Sequence, residues 1–133
     1  MTVKPNLPPV GTAGWMDLTV QDAPRMASFY KKVIGWKTQE VTMGSYSDYC
    51  MVPTNSKDPI AGVCHAQGVN VGLPTGWLIY FIVANLYESL REVQTQGGQI
   101  LRNITTMGQM GRYAVIADPS GATCALFEHS VSP

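Results

Sequence analysis

An α+β fold of two βαβββ modules is predicted by three observations on this 133-residue sequence. Residues 15–36, WMDLTVQDAPRMASFYKKVIGW, read as a strand, a capped helix and a stop. An offset of 63 residues lays this unit without a gap on residues 77–98, WLIYFIVANLYESLREVQTQGG, placing Val20 on Val83, Asp22 on Asn85 and Gly35 on Gly98. Each unit is then followed by three short β-like runs bounded by turn residues. Self-similarity at a fixed spacing is the signature of a repeated supersecondary unit.

The chain opens on a proline-bearing arm, residues 1–11, with Pro5, Pro8 and Pro9 and no apolar period. Between 15 and 20, Met16, Leu18 and Val20 alternate with Asp17 and Thr19, the period of a strand with one buried face, so the apolar three are expected to meet a helix. Asp22 suits an N-cap and Pro24 the first turn, where its missing N–H costs nothing. Met26, Phe29, Tyr30, Val33 and Ile34 then form one helical stripe, Lys31 and Lys32 suit the negative end of the dipole, and Gly35 ends the helix. Strands follow at 37–43, 49–52 and 60–66, the last containing His65, and a glycine-rich linker at 67–76 joins the halves.

In the second half, residues 78–83 are apolar on both faces, which predicts a strand lying deeper than the first. Leu86, Leu90 and Val93 supply a helical face before Gly97 and Gly98. Strands are expected at 99–104, 112–117 and 122–128, with Asp118, Pro119, Ser120 and Gly121 as a type I turn between the last two. The whole reads as one domain, with modules at 12–66 and 77–129.

Nine basic and nine acidic residues cancel, and no basic cluster exceeds Lys31 and Lys32, which argues against a nucleic-acid or anionic-membrane partner. No apolar run approaches a membrane span and the first residues lack the layout of a signal peptide, so a soluble cytoplasmic protein is expected. Cys50, Cys64 and Cys124 are odd in number and set among apolar residues, which predicts buried reduced thiols.

The paired modules, the two quoted units and the ending GRYAVIADPSGATCALFE together resemble the vicinal oxygen chelate superfamily of glyoxalases, bleomycin-resistance proteins and extradiol dioxygenases, most closely its small glyoxalase-like branch. The resemblance covers about residues 12–129. It implies that each module curls its strands into a half-barrel around a cavity, with the helix on the outer face. It also implies a divalent metal that chelates the substrate as a Lewis acid, held by side chains of the first and last strands. Carried across, those positions fall on Trp15 and Leu78 in the first strands and on Ala125, and near Gly62, in the last ones. None offers a ligand atom for such a metal, so no cofactor is predicted, a divalent metal at a nonstandard site being the alternative.

By alternation Trp15, Asp17 and Thr19 face the cavity, and so, by the offset, do Leu78, Tyr80 and Ile82. Asp17 and Tyr80 become equivalent positions: acid and base of a metal-free reaction, or a carboxylate that simply holds the barrel together. Trp15 and Trp77 floor a ligand pocket or fill the core, and Arg112 clamps an anionic ligand or pairs with a carboxylate. With Thr19, Leu78 and Ala125 these make the candidate ligand-binding set. Asp17, His65 and Glu128 form the alternative metal set, although alternation from Ala125 turns Glu128 to the opposite face from the family's ligand.

Two function classes result. The first is a metal-independent protein whose aromatic cavity binds a small apolar or planar molecule; the second is a glyoxalase-type lyase or related metalloenzyme. A charged fraction of only 14% leaves apolar surface to cover, and a homodimer is expected.

Overall fold

The computed structural model describes residues 8–130, so most of the N-terminal arm lies outside the described residues. The order of elements is β1 (Ala13–Val20), α1 (Ala23–Ile34), β2 (Lys37–Thr42), β3 (Ser47–Val52), β4 (Ala61–His65), β5 (Trp77–Ile82), α2 (Leu86–Thr95), β6 (Gln99–Thr106), β7 (Gly111–Ala117) and β8 (Thr123–His129). This is βαβββ twice, as expected. The described residues form two compact units, Trp15–Leu78 and the remainder on either side of it.

In the first unit the strands run in the order β2-β3-β4-β1. β1 and β4 are parallel, with Asp17 opposite Gly62 and Thr19 opposite Cys64, while β2, β3 and β4 pair antiparallel. Asp22 caps α1 by accepting from the Arg25 amide at 3.2 Å, and Gly35, at φ 90°, closes the helix with its N–H on the Lys31 carbonyl at 2.9 Å.

The buried face of α1 differs from the predicted stripe. Ala23 and Ala27 seat the helix on Met51, Ala61 and Val63, with Met26 and Tyr30 at the margin. Phe29 and Val33 remain 51% and 63% exposed. Small residues let the helix backbone approach the sheet closely, and the bulky members of the stripe are turned outward. Met16 and Val20 pack on this same cluster, as their alternation requires.

The second unit repeats the plan in the order β5-β8-β7-β6, with β5 and β8 parallel. Tyr80 stands opposite Ala125, so the 63-residue offset that relates the helices also relates the Asp17–Gly62 pair to the Tyr80–Ala125 pair. Asn85 caps α2 on the Glu88 amide at 3.1 Å. The helix ends earlier than the offset predicts: Gly97, not Gly98, takes the left-handed turn at φ 90°. Leu86 and Leu90 pack against Ala114, Ile116 and Leu126.

β5 is not buried on both faces. Leu78, Tyr80 and Ile82 are buried, whereas Ile79 and Phe81 are 41% and 38% exposed on the other side. Beside β5 runs the tail of the N-terminal arm, where the Gly11 amide donates to the Ile82 carbonyl at 2.8 Å. That segment therefore belongs with the second module rather than standing apart as an arm.

Candidate functional site

In the first unit the sheet face turned away from α1 carries the polar chemistry. Trp15 and Asp17 lie two residues apart on β1, so both side chains project to this face, and the indole Nε1 donates to Asp17 Oδ1 at 2.5 Å. Gly62 is the cross-strand neighbour of Asp17 and of Cys50 on β3. A Cβ at position 62 would overlap Asp17 Oδ1, so the carboxylate occupies space that only glycine leaves open. Thr19 is buried beside Cys64.

Asp48 is also buried and accepts from the His65 amide at 2.8 Å, with the His65 ring Nδ1 3.3 Å away. The His65 ring stands edge-on to Tyr46 at 5.1 Å. Asp48 is the residue that sequence reasoning missed; Gly62 and Cys64 were named only as a position of the family's metal site and as a buried thiol. Alternation pairs Asp48 with Cys50 on β3, once that strand begins at Ser47 rather than Tyr49, and Gly62 with Cys64 on β4, but only the β3–β4 register brings the two pairs to one face.

This environment governs the thiols. Burial first, then the negative charges of Asp17 and Asp48, push the Cys64 thiol far above its ordinary value of 9.0, and burial raises Cys50 and Cys124 as well. All three cysteines are free and partly buried. Because Cys64 is neutral in the fold while the unfolded chain ionises from about pH 9, the unfolded state binds fewer protons there and stability falls as pH rises. Urea midpoints are therefore expected to drop between pH 8 and 10, and Cys64→Ala to flatten that drop; equal slopes in both proteins would contradict it.

The other named candidates divide between the units. Trp77 is not on the face of Trp15: its Nε1 donates to Tyr30 Oη at 3.1 Å, and it packs with Tyr30 and Trp36 against the α1 side of the first sheet. It packs on the core, the second of the two roles expected for it. In the second unit Tyr80 is buried with its ring 5.8 Å from that of Tyr113, and Ala125 lies beside it. Leu78, at the edge of the first unit, is buried and apolar.

Arg112 and Glu128 form a clamp. Arg112 pairs with Glu128 at 3.1 Å and its guanidinium lies 4.6 Å over the Tyr87 ring, while Glu128 Oε1 accepts from the Leu86 amide at 2.7 Å at the start of α2. Glu128 thus serves the N-terminus of a helix, on the outer face that alternation predicts. His129 stacks edge-on to Phe127, and its Nε2 is buried without a hydrogen-bond partner among the described residues.

No three His, Cys, Asp or Glu side chains gather in a metal-holding arrangement among the described residues. Of the alternative set, His65 is engaged by Asp48 within the first unit, and Glu128 by Arg112 and the Leu86 amide within the second.

The family model described as the Glyoxalase/Bleomycin resistance protein/Dioxygenase superfamily matches residues 12–126. The chain belongs to this superfamily. Within it, the chain is 29% identical over 119 residues to "Putative glyoxylase CFP32" of Mycobacterium tuberculosis, covering 89% of this chain and 46% of that protein. It is 27% identical over 133 residues to the anthracycline biosynthesis protein DnrV of Streptomyces peucetius, covering 91% and 48% respectively. The chain thus spans about half the length of the curated relatives it matches.

Solved structures in the superfamily's fold include hypothetical protein BH1468 of Bacillus halodurans, at TM-score 0.62 and 13% identity over 92% of this chain and 97% of that one. Methylmalonyl-CoA epimerase of Mycobacterium tuberculosis aligns at TM-score 0.57 and 15% identity over 99% and 94%. At such identities the likeness is one of fold. The positions at which the superfamily resemblance implied metal ligands hold an indole, an isobutyl group, a methyl group and a bare backbone in Trp15, Leu78, Ala125 and Gly62, which do not fit a divalent ion.

Proposed function

We propose that the chain binds a small planar, largely apolar molecule without a metal, on the sheet face that carries Trp15, Asp17 and Thr19. The observation that carries this reading is the Trp15–Asp17 pair beside Gly62: a carboxylate oriented by an indole, next to a strand position with no side chain to cover it. An indole supplies a rigid apolar platform and a carboxylate one directional acceptor, the usual division of labour in a small-molecule site. The relationship to an anthracycline biosynthesis protein supports a polycyclic aromatic as the ligand class.

The test is a titration with polycyclic aromatic compounds, an anthracycline among them, read by tryptophan fluorescence and calorimetry, with the compound recovered and analysed by mass spectrometry. Binding without conversion is expected, and Trp15→Ala or Asp17→Asn should each weaken it by roughly tenfold or more, the cost of one stacking or polar anchor. Conversion of the compound that is lost in Asp17→Asn or Tyr80→Phe would establish the lyase-type reading instead. Absence of binding across the series would sink the proposal.

A further inference from the structure

Module two lacks the plug that module one carries between helix and sheet. In the first unit Tyr30, Trp36 and Trp77 pack together over Met51, Ala61 and Val63. The 63-residue offset puts Val93 in place of Tyr30 and Gln99 in place of Trp36. Beside α2 there is instead an open cavity of about 540 Å³, floored by Val83, Val93, Ile116 and Leu126. Ile79 and Phe81 are exposed on the neighbouring strand, whereas Leu18, the equivalent of Phe81 in the first unit, is buried. The rim is acidic: Glu88 and Glu92, one helical turn apart, and Asp118 across the opening.

The outward face of α1 has the complementary composition. Arg25, Phe29, Lys32 and Val33 recur at i, i+4, i+7 and i+8, a single helical face, and all four are exposed. The helix has no acidic residue at all. An apolar ridge flanked by cations is left uncovered by one module, and an apolar groove flanked by carboxylates is left unfilled by the other.

We propose that the α2 groove receives the α1 face of a second copy of this chain, with Phe29 and Val33 entering the groove and Arg25 and Lys32 meeting Glu88, Glu92 and Asp118. Burial of the ridge and groove supplies the affinity, and the charged rim supplies orientation. This surface is distinct from the Trp15–Asp17 face and does not depend on what binds there.

The decisive experiment is light scattering after size exclusion on the wild-type chain and on two charge reversals at exposed positions, Glu88→Lys with Glu92→Lys, and Arg25→Glu with Lys32→Glu. Circular dichroism confirms that each variant is folded. Wild type is expected at or above twice the chain mass of 14.4 kDa. Each reversed protein alone should dissociate at least roughly tenfold more readily, and mixing the two should restore association, because like charges are then replaced by opposite ones. A wild-type monomer at micromolar concentration overturns the proposal, as does self-association that neither reversal weakens.

Discussion

Glu128→Ala is expected to lower the unfolding free energy by about 2–3 kcal/mol, the sum of an orphaned helix-terminal amide and a broken, partly exposed ion pair. The reasoning rests on two contacts made by one carboxylate. Its Oε1 accepts from the Leu86 amide, one of the donors that a helix N-terminus cannot satisfy internally, and the same group holds Arg112 over Tyr87. Asn85 caps the Glu88 amide, so it cannot take over the Leu86 amide as well without leaving its own partner. The ion pair is discounted because the Arg112 and Glu128 side chains retain 32% and 21% exposure. Glu128→Gln keeps an acceptor for Leu86 but loses the charge, and should recover roughly half of the loss. Urea denaturation monitored by circular dichroism separates the three proteins; equal midpoints for wild type and Glu128→Ala would refute the clamp.

That clamp also shows which features were legible in the sequence. The caps Asp22 and Asn85, the left-handed Gly35 and the strand alternation of β1 are local, and local chemistry is written in consecutive residues. The outward position of Glu128 followed from counting along one strand, although its partner Leu86 lies 42 residues away and no spacing rule predicts it. The α1 stripe departs from the buried face for a physical reason. Phe29 and Val33 outweigh Ala23 and Ala27 on any hydrophobicity scale, but close helix-to-sheet packing selects for small size.

Trp77 is a different case. With Leu78, Tyr80 and Ile82 buried on one face of β5, alternation itself sends Trp77 to the other, and its expected role beside Trp15 conflicted with that pattern. What no single-strand argument could reach is the row formed by Asp17, Gly62 and Cys50, which exists only once β1, β4 and β3 are in register. The metal-ligand positions of the family were reached by resemblance, and the register of Asp17 with Gly62 and of Tyr80 with Ala125 gives the two last-strand positions a common footing.

Gly62→Ala is the substitution that addresses the proposed site most directly. The new methyl group would overlap Asp17 Oδ1, and the carboxylate cannot retreat without leaving the Trp15 indole that donates to it. Asp17 has one rotatable bond fewer than a glutamate with which to escape, and Gly62 is itself buried, so relaxation must come from the strands. Overpacking of this kind costs about 1–3 kcal/mol in stability, and displacing the carboxylate from its bonded position should cost ligand affinity at least roughly tenfold in addition. The double variant Asp17→Asn with Gly62→Ala discriminates between the causes. If the carboxylate anchors the ligand, Gly62→Ala adds little to the affinity loss of Asp17→Asn; if the methyl group merely obstructs the face, the two losses add. The Trp15 Nε1–H proton resonance reports the geometry independently of binding, because breaking the indole–carboxylate hydrogen bond shifts it, and a resonance unmoved in Gly62→Ala would mean that Asp17 had not moved.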